Sequence, residues 1–122
     1  MNLLEENENP IIWKNNILKS LIDLSDIEFQ KILWLGKSPN YASSFIEMIN
    51  TLFDTNDIER FVKYYKSVKG EDDLYKKMNK LIHMIDNFKE PKTDEIILKD
   101  PKWLRITLKA KGIVNDLIEA NI

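Results

Sequence analysis

Residues 50–61 read NTLFDTNDIERF, two apolar side chains running into an acidic turn before apolar periodicity resumes. A calcium loop, a helix junction or a surface for a basic partner would each put acids here. An EF-hand requires oxygen ligands at alternating positions, glycine at the sixth and a bidentate glutamate at the twelfth. Counted from Asp54, position five is Ile58, position six Glu59 and position twelve Tyr65. The calcium pattern fails at all three. A helix junction fits better: Asp54 is placed to N-cap a following helix with Asp57 at its third position, and Phe53 and Ile58 are spaced as a hydrophobic staple. Ile58, Phe61, Val62 and Tyr65 then form an i, i+3, i+4, i+7 stripe that predicts a helix ending near Gly70.

Helical periodicity extends outward from this junction in both directions. Residues 1–9 read as a flexible arm. After Pro10, Trp13, Ile17, Leu21 and Leu24 share a face, widened by Leu18 and Ile22. Ser25 is placed to cap a second helix with Glu28 reaching back and Leu24 and Phe29 as its staple. That helix carries Ile27, Ile32, Leu33 and Leu35, with Gly36 to close it. Ser38 before Pro39, or Ser44 with Glu47, starts a third helix presenting Phe45, Met48, Ile49, Leu52 and Phe53. Beyond the junction, the acidic trio Glu71–Asp73 opens a fifth helix faced by Leu74, Met78, Leu81, Ile82, Ile85 and Phe88 and stopped by Pro91. Thr93 caps a short DEIILK piece. Asp100 before Pro101 opens the last helix, faced by Trp103, Ile106, Ala110, Ile113 and Leu117, in which Gly112 marks a bend or a close helix contact. No strand-like alternation occurs. The expected fold is all-α, one domain spanning residues 1–122, built as a compact bundle of five to six helices.

Composition narrows the chemistry. The 122 residues include no cysteine, which excludes disulfides, thiolate ligands and cysteine nucleophiles. The acidic N-terminus lacks a secretory pattern, and no apolar run reaches the ~20 residues of a membrane span. These features point to a soluble, cytoplasmic protein without a membrane partner. His83 is the single histidine; beside an apolar stripe, it reads as a partly buried structural residue rather than a zinc ligand or catalytic base. The pairs Asp23 with Asp26 and Asp72 with Asp73 sit at helix ends, where solvation and capping account for them. No phosphate-binding loop is present. The reading is of a non-enzymatic protein with no cofactor and no metal.

The net charge of −2 divides unevenly. Residues 1–60 hold ten acidic and five basic side chains, net −5, and residues 61–122 hold ten acidic and thirteen basic, net +3. Lys63, Lys66, Lys69, Lys76, Lys77, Lys80, Lys102, Arg105, Lys109 and Lys111 lie on the later helices. They support one alternative function, a nucleic-acid-associated regulator using a lysine face. A helical adaptor for an unrelated protein is a further alternative.

The segments WKNNILKSLIDLSDIEFQKILWLG (13–36), NTLFDTNDIERFV (50–62) and LKDPKWLRITLKA (98–110) together resemble a group of small, all-helical bacterial immunity proteins encoded beside polymorphic toxins, including those of contact-dependent growth inhibition systems. The resemblance is carried by Leu24, Ser25, Asp26, Phe29, Gln30 and Trp34, then Leu52, Phe53, Asp54 and Asp57. It implies a cytoplasmic antitoxin that binds a cognate toxin C-terminal domain, often a nuclease with a basic cleft, and blocks it. On that reading the toxin meets an acidic rim of Asp23, Asp26, Glu28, Glu47, Asp54, Asp57 and Glu59, with Trp34 and Tyr41 as aromatic anchors. No heptad seam demands a dimer, so a monomer is expected.

Overall fold

The computed structural model describes residues 9–35, 44–88 and 93–122. Among them run seven α-helices and no strand: α1 Pro10–Leu24, α2 Ile27–Trp34, α3 Phe45–Asn50, α4 Ile58–Lys69, α5 Asp73–Asp86, α6 Asp94–Lys99 and α7 Pro101–Glu119. The count exceeds the expected five to six because DEIILK is a helix in its own right. Asp100, in an extended conformation, ends α6 and caps α7 through Lys102 N–H at 2.8 Å. Residues 1–8, Gly36, Ser38, Pro39, Tyr41 and Pro91 lie outside the described residues.

Several local signals act where the sequence places them. Ser44, Asp72 and Thr93 each accept a hydrogen bond from the backbone N–H three residues on, satisfying one of the free donors of a helix start. Gly70 closes α4 at φ +77°, a conformation that side chains resist. Gly112, by contrast, marks no close contact: α7 continues through it and a Cβ there would meet nothing.

Two junctions differ from expectation. Ser25 does not cap α2, because its N–H is still bonded to Leu21 and Ile22 carbonyls and its backbone is helical. Its hydroxyl donates to Ile22 O and finishes α1 instead. Asp26 is the cap, accepting from Phe29 N–H at 3.0 Å. The one-residue shift breaks the expected staple, leaving Phe29 36% exposed and turning Gln30 inward. The opening junction shifts by three residues. A π-helical turn, Thr51–Thr55, prolongs α3, so Asp54 stays exposed within it and caps nothing. Asp57 caps α4 from a left-handed conformation, φ 50°, tolerable for a short polar side chain. The wider turn buries Leu52 and delivers Asn56 to α1. There the Asn56 carbonyl accepts from Trp13 Nε1 at 2.8 Å, while its side-chain amide donates to Asn16 O and Ser20 Oγ.

The apolar stripes of α1, α4, α5 and α7 meet in one core. One aromatic group joins Trp13 to Phe61 and Tyr64; a second joins Trp34, Phe45, Phe88 and Trp103. Between helices lies Gln30, 0% exposed. Its Nε2 donates to the Asp23 and Leu24 carbonyls at 2.9 Å, and its Oε1 accepts from Trp103 Nε1 at 2.9 Å. One side chain thus ties the end of α1, the body of α2 and the start of α7. Gln30→Leu is expected to destabilise the protein by about 2–4 kcal/mol, because it strands the Trp103 donor and α1 carbonyls in the core. Adding Trp103→Phe removes the stranded donor, so urea unfolding of the double variant is expected to cost less than the two single effects summed.

Candidate functional site

The corner between α1 and α2 carries the most distinctive surface. Lys14 Nζ on the first turns of α1 donates to Ala120 O beyond the end of α7, so the two helices run antiparallel. At the other end, Ile22, Ser25, Asp26, Ile27 and Glu28 form one wall of a groove of about 600 Å³, and Leu104, Thr107, Leu108 and Lys111 form the opposite wall. Ile22, Leu104 and Leu108 are 47%, 38% and 68% exposed, a large apolar exposure for one place. A separate, smaller depression of about 150 Å³ is lined by Ser20, Asp23, Phe29, Leu33, Glu47, Met48 and Thr51. Of the expected acidic rim, Asp26 and Glu28 line the groove with Ile22, Leu104 and Leu108, whereas Asp23 and Glu47 line the smaller depression with Phe29; the two share no lining residue.

Their electrostatics are uneven. Burial pushes the Asp23 carboxyl above its ordinary value; Lys19 opposes the shift and the Asp26 charge adds to it. Glu28 meets Lys31 at 3.3 Å, but both are solvated and such a pair contributes little. Asp26 is exposed and also serves as the α2 cap, so its charge has a structural duty.

The other expected residues do not join this corner. Asp57 lines a separate depression of about 310 Å³ with Asn9, Ile12, Trp13, Asn16, Thr55, Asn56 and Arg60. Its carboxylate accepts from Arg60 Nε at 3.0 Å, and the guanidinium lies 4.4 Å from the Trp13 ring centroid, so the Asp57 charge is locally offset. Asp54 and Glu59 are exposed and line none of these three depressions. Trp34 is 7% exposed, edge-on to Phe45 and packed on Trp103, which removes it as a surface anchor. Tyr41 lies outside the described residues. His83 is exposed rather than partly buried, because it flanks the α5 stripe instead of lying on it.

Periodicity places Ile22 on the apolar face of α1 and the staple reading sets Phe29 against Leu24, yet both are exposed; Leu104 and Leu108 belong to no stripe read from the sequence. A signal for the latter existed: an i, i+4 leucine pair standing off the Trp103, Ile106, Ala110, Ile113 stripe. The lysines do not form one uniform face. Lys66 lies 4.0 Å from Glu71 and over the Tyr75 ring, and Lys77 is bonded to Asp116 at 2.6 Å. Among the described residues no three acidic or histidine side chains converge to hold a metal ion, and no helix is long and apolar enough to cross a membrane.

The raised Asp23 pKa has a defined consequence. Between its ordinary value of 3.8 and the raised one, the folded state binds more protons than the unfolded state, so stability contributed by this group falls as pH rises through that window. Asp23→Asn is therefore expected to raise the urea midpoint at pH 7, and the gain over wild type is expected to vanish below pH 3.8, where Asp23 is protonated in both states. No protein-family model, curated protein or solved structure matches the chain.

Proposed function

We propose that this chain is an immunity protein: a cytoplasmic, non-enzymatic binder that neutralises a cognate toxin C-terminal domain, a nuclease, by covering a basic surface with its α1–α2 corner. The observation that supports the reading is the pairing of acids with exposed apolar side chains in two depressions of this corner: Asp26 and Glu28 with Ile22, Leu104 and Leu108 in one, Asp23 and Glu47 with Phe29 in the other. Exposed apolar side chains supply a desolvated centre, while a carboxylate rim steers a basic partner and sets register. A nuclease cleft built to hold phosphates offers the complementary charge. The resemblance of residues 13–36, 50–62 and 98–110 to immunity proteins supports the same reading.

The arrangement also accounts for an unfavourable local choice. Desolvating Asp23 costs stability in the free protein, and a cationic partner side chain would recover it on binding. Acids at functional surfaces commonly carry such shifts.

The test is co-expression with the toxin-like domain encoded next to this chain. Survival of the cells and co-purification of a one-to-one complex are expected; neither protection nor complex would overturn the assignment for that neighbour. Within a complex, Glu28→Lys with Glu47→Lys is expected to weaken binding by about tenfold or more, mainly through a slower association that depends on salt. Both residues are exposed and neither side chain caps a helix, so the circular dichroism melt is expected to remain that of wild type. The matched reversal Asp54→Lys with Glu59→Lys is expected to have the smaller effect.

A further inference from the structure

A second, oppositely charged surface lies along the seam of α5 and α7. Two contacts set the antiparallel register of these helices. Lys77 on α5 bonds Asp116 on α7 at 2.6 Å, and Met84, Asn87 and Phe88 share a depression with Lys102, Arg105 and Ile106. Lys80 and Lys109 fall between these points. On α7, Lys102, Arg105, Lys109 and Asp116 follow helical spacing along one side, roughly a third of a turn from the Leu104, Leu108, Lys111 side that walls the acidic groove. The lone acid of this row, Asp116, is already engaged by Lys77. Lys80, Lys102, Arg105 and Lys109 have no ion-pair partner among the described residues. Four uncompensated cations thus share one seam of a protein whose net charge is −2.

The depression at the end of this row has a composition of its own. Its volume is about 270 Å³. Phe88, Met84 and Ile106 give it an apolar floor, Phe88 being only partly buried and braced from behind by Trp103 and Phe45. Asn87 stands at the rim with a side-chain amide that bonds no described residue. From Lys102 to Lys109 the α7 row spans roughly 10 Å, room for consecutive phosphates of a short stretch of strand. A row of cations leading to an apolar aromatic floor beside a free amide matches a chain that alternates phosphates with planar bases. Duplex hides its bases; a single strand presents them.

We infer that the α5–α7 seam binds single-stranded nucleic acid, with phosphates along Lys80, Lys102, Arg105 and Lys109 and one base seated on the Phe88, Met84 and Ile106 floor beside Asn87. The site is separate from the acidic corner and does not depend on what that corner binds.

Fluorescence anisotropy of the whole protein with a labelled oligo-dT strand of about twelve nucleotides tests this. Four phosphate contacts predict a slope of log affinity against log salt of roughly −3 between about 50 and 200 mM salt. Lys102→Glu with Arg105→Glu is expected to weaken binding by about tenfold or more and to halve the slope. Lys63→Glu with Lys69→Glu changes net charge equally on α4 and is expected to leave affinity within about threefold. All four positions are exposed, so folded variants are expected, with circular dichroism as the check. Absence of binding at the lowest salt overturns the inference, and so does an equal loss in both variants, which would mean net charge alone. An abasic strand binding as tightly as oligo-dT, or a duplex binding more tightly, also overturns it, because the base would then play no part.

Discussion

Gln30 is the residue on which the arrangement of helices turns. Its amide is wholly buried and has its hydrogen-bonding directions used, by two carbonyls at the end of α1 and by the Trp103 indole of α7. A buried amide with partners contributes modestly, but one without them is costly, so the three helices can meet only where those partners coincide. Helix ends are otherwise difficult to bury, because their last carbonyls lack intrahelical partners. Here α1 can end against α2 in the interior because Gln30 supplies the missing donors. Apolar packing gives this region most of its stabilisation, and Gln30 gives it a single geometry.

The acidic corner follows from that geometry. With α1 stopped at Leu24 and Gln30 turned inward, Asp26 must cap α2 and Phe29 must face outward. Asp23 is left on the last turn of α1, where neighbouring side chains desolvate it. The start of α7, held by Trp103 in the aromatic group, brings Leu104 and Leu108 across from Ile22. Capping and surface chemistry are therefore not independent at Asp26, whereas Glu28 and Glu47 carry charge without a structural duty. This distinction separates loss of binding from loss of fold in any charge change made there.

Helix α7 also explains how a charge asymmetry along the chain becomes an asymmetry in space. It comes from the basic half of the chain yet lies directly against α1 from the acidic half. Mixing of that kind would ordinarily cancel the difference. It does not, because α7 turns Leu104 and Leu108 toward α1 and α2 and carries Lys102, Arg105 and Lys109 on its α5 side, with Lys111 alone among its cations lining the groove.

What the sequence determined by itself is whatever depends on neighbours three or four residues away. The stripes of α1, α4, α5 and α7, the caps Thr93 and Asp100, Ser44 as one of two possible starts of α3, and the Gly70 stop follow from local spacing, and with them the all-helical class. Of the expected acidic rim, Asp26 and Glu28 line a groove whose far wall, Leu104 and Leu108, comes from α7, some eighty residues away, while Asp23 and Glu47 line a separate depression with Phe29. The α2 cap depended on where α1 ended, and that was decided by Gln30 reaching a tryptophan 73 residues distant. The prolonged turn at Thr51–Thr55 depended on Asn56 finding Trp13, Asn16 and Ser20 on α1. Trp34 could have faced solvent by periodicity alone; Phe45 and Trp103 bury it. Local patterns choose helices because their energies are summed within a turn, whereas register between helices is chosen by contacts that only the folded chain brings together.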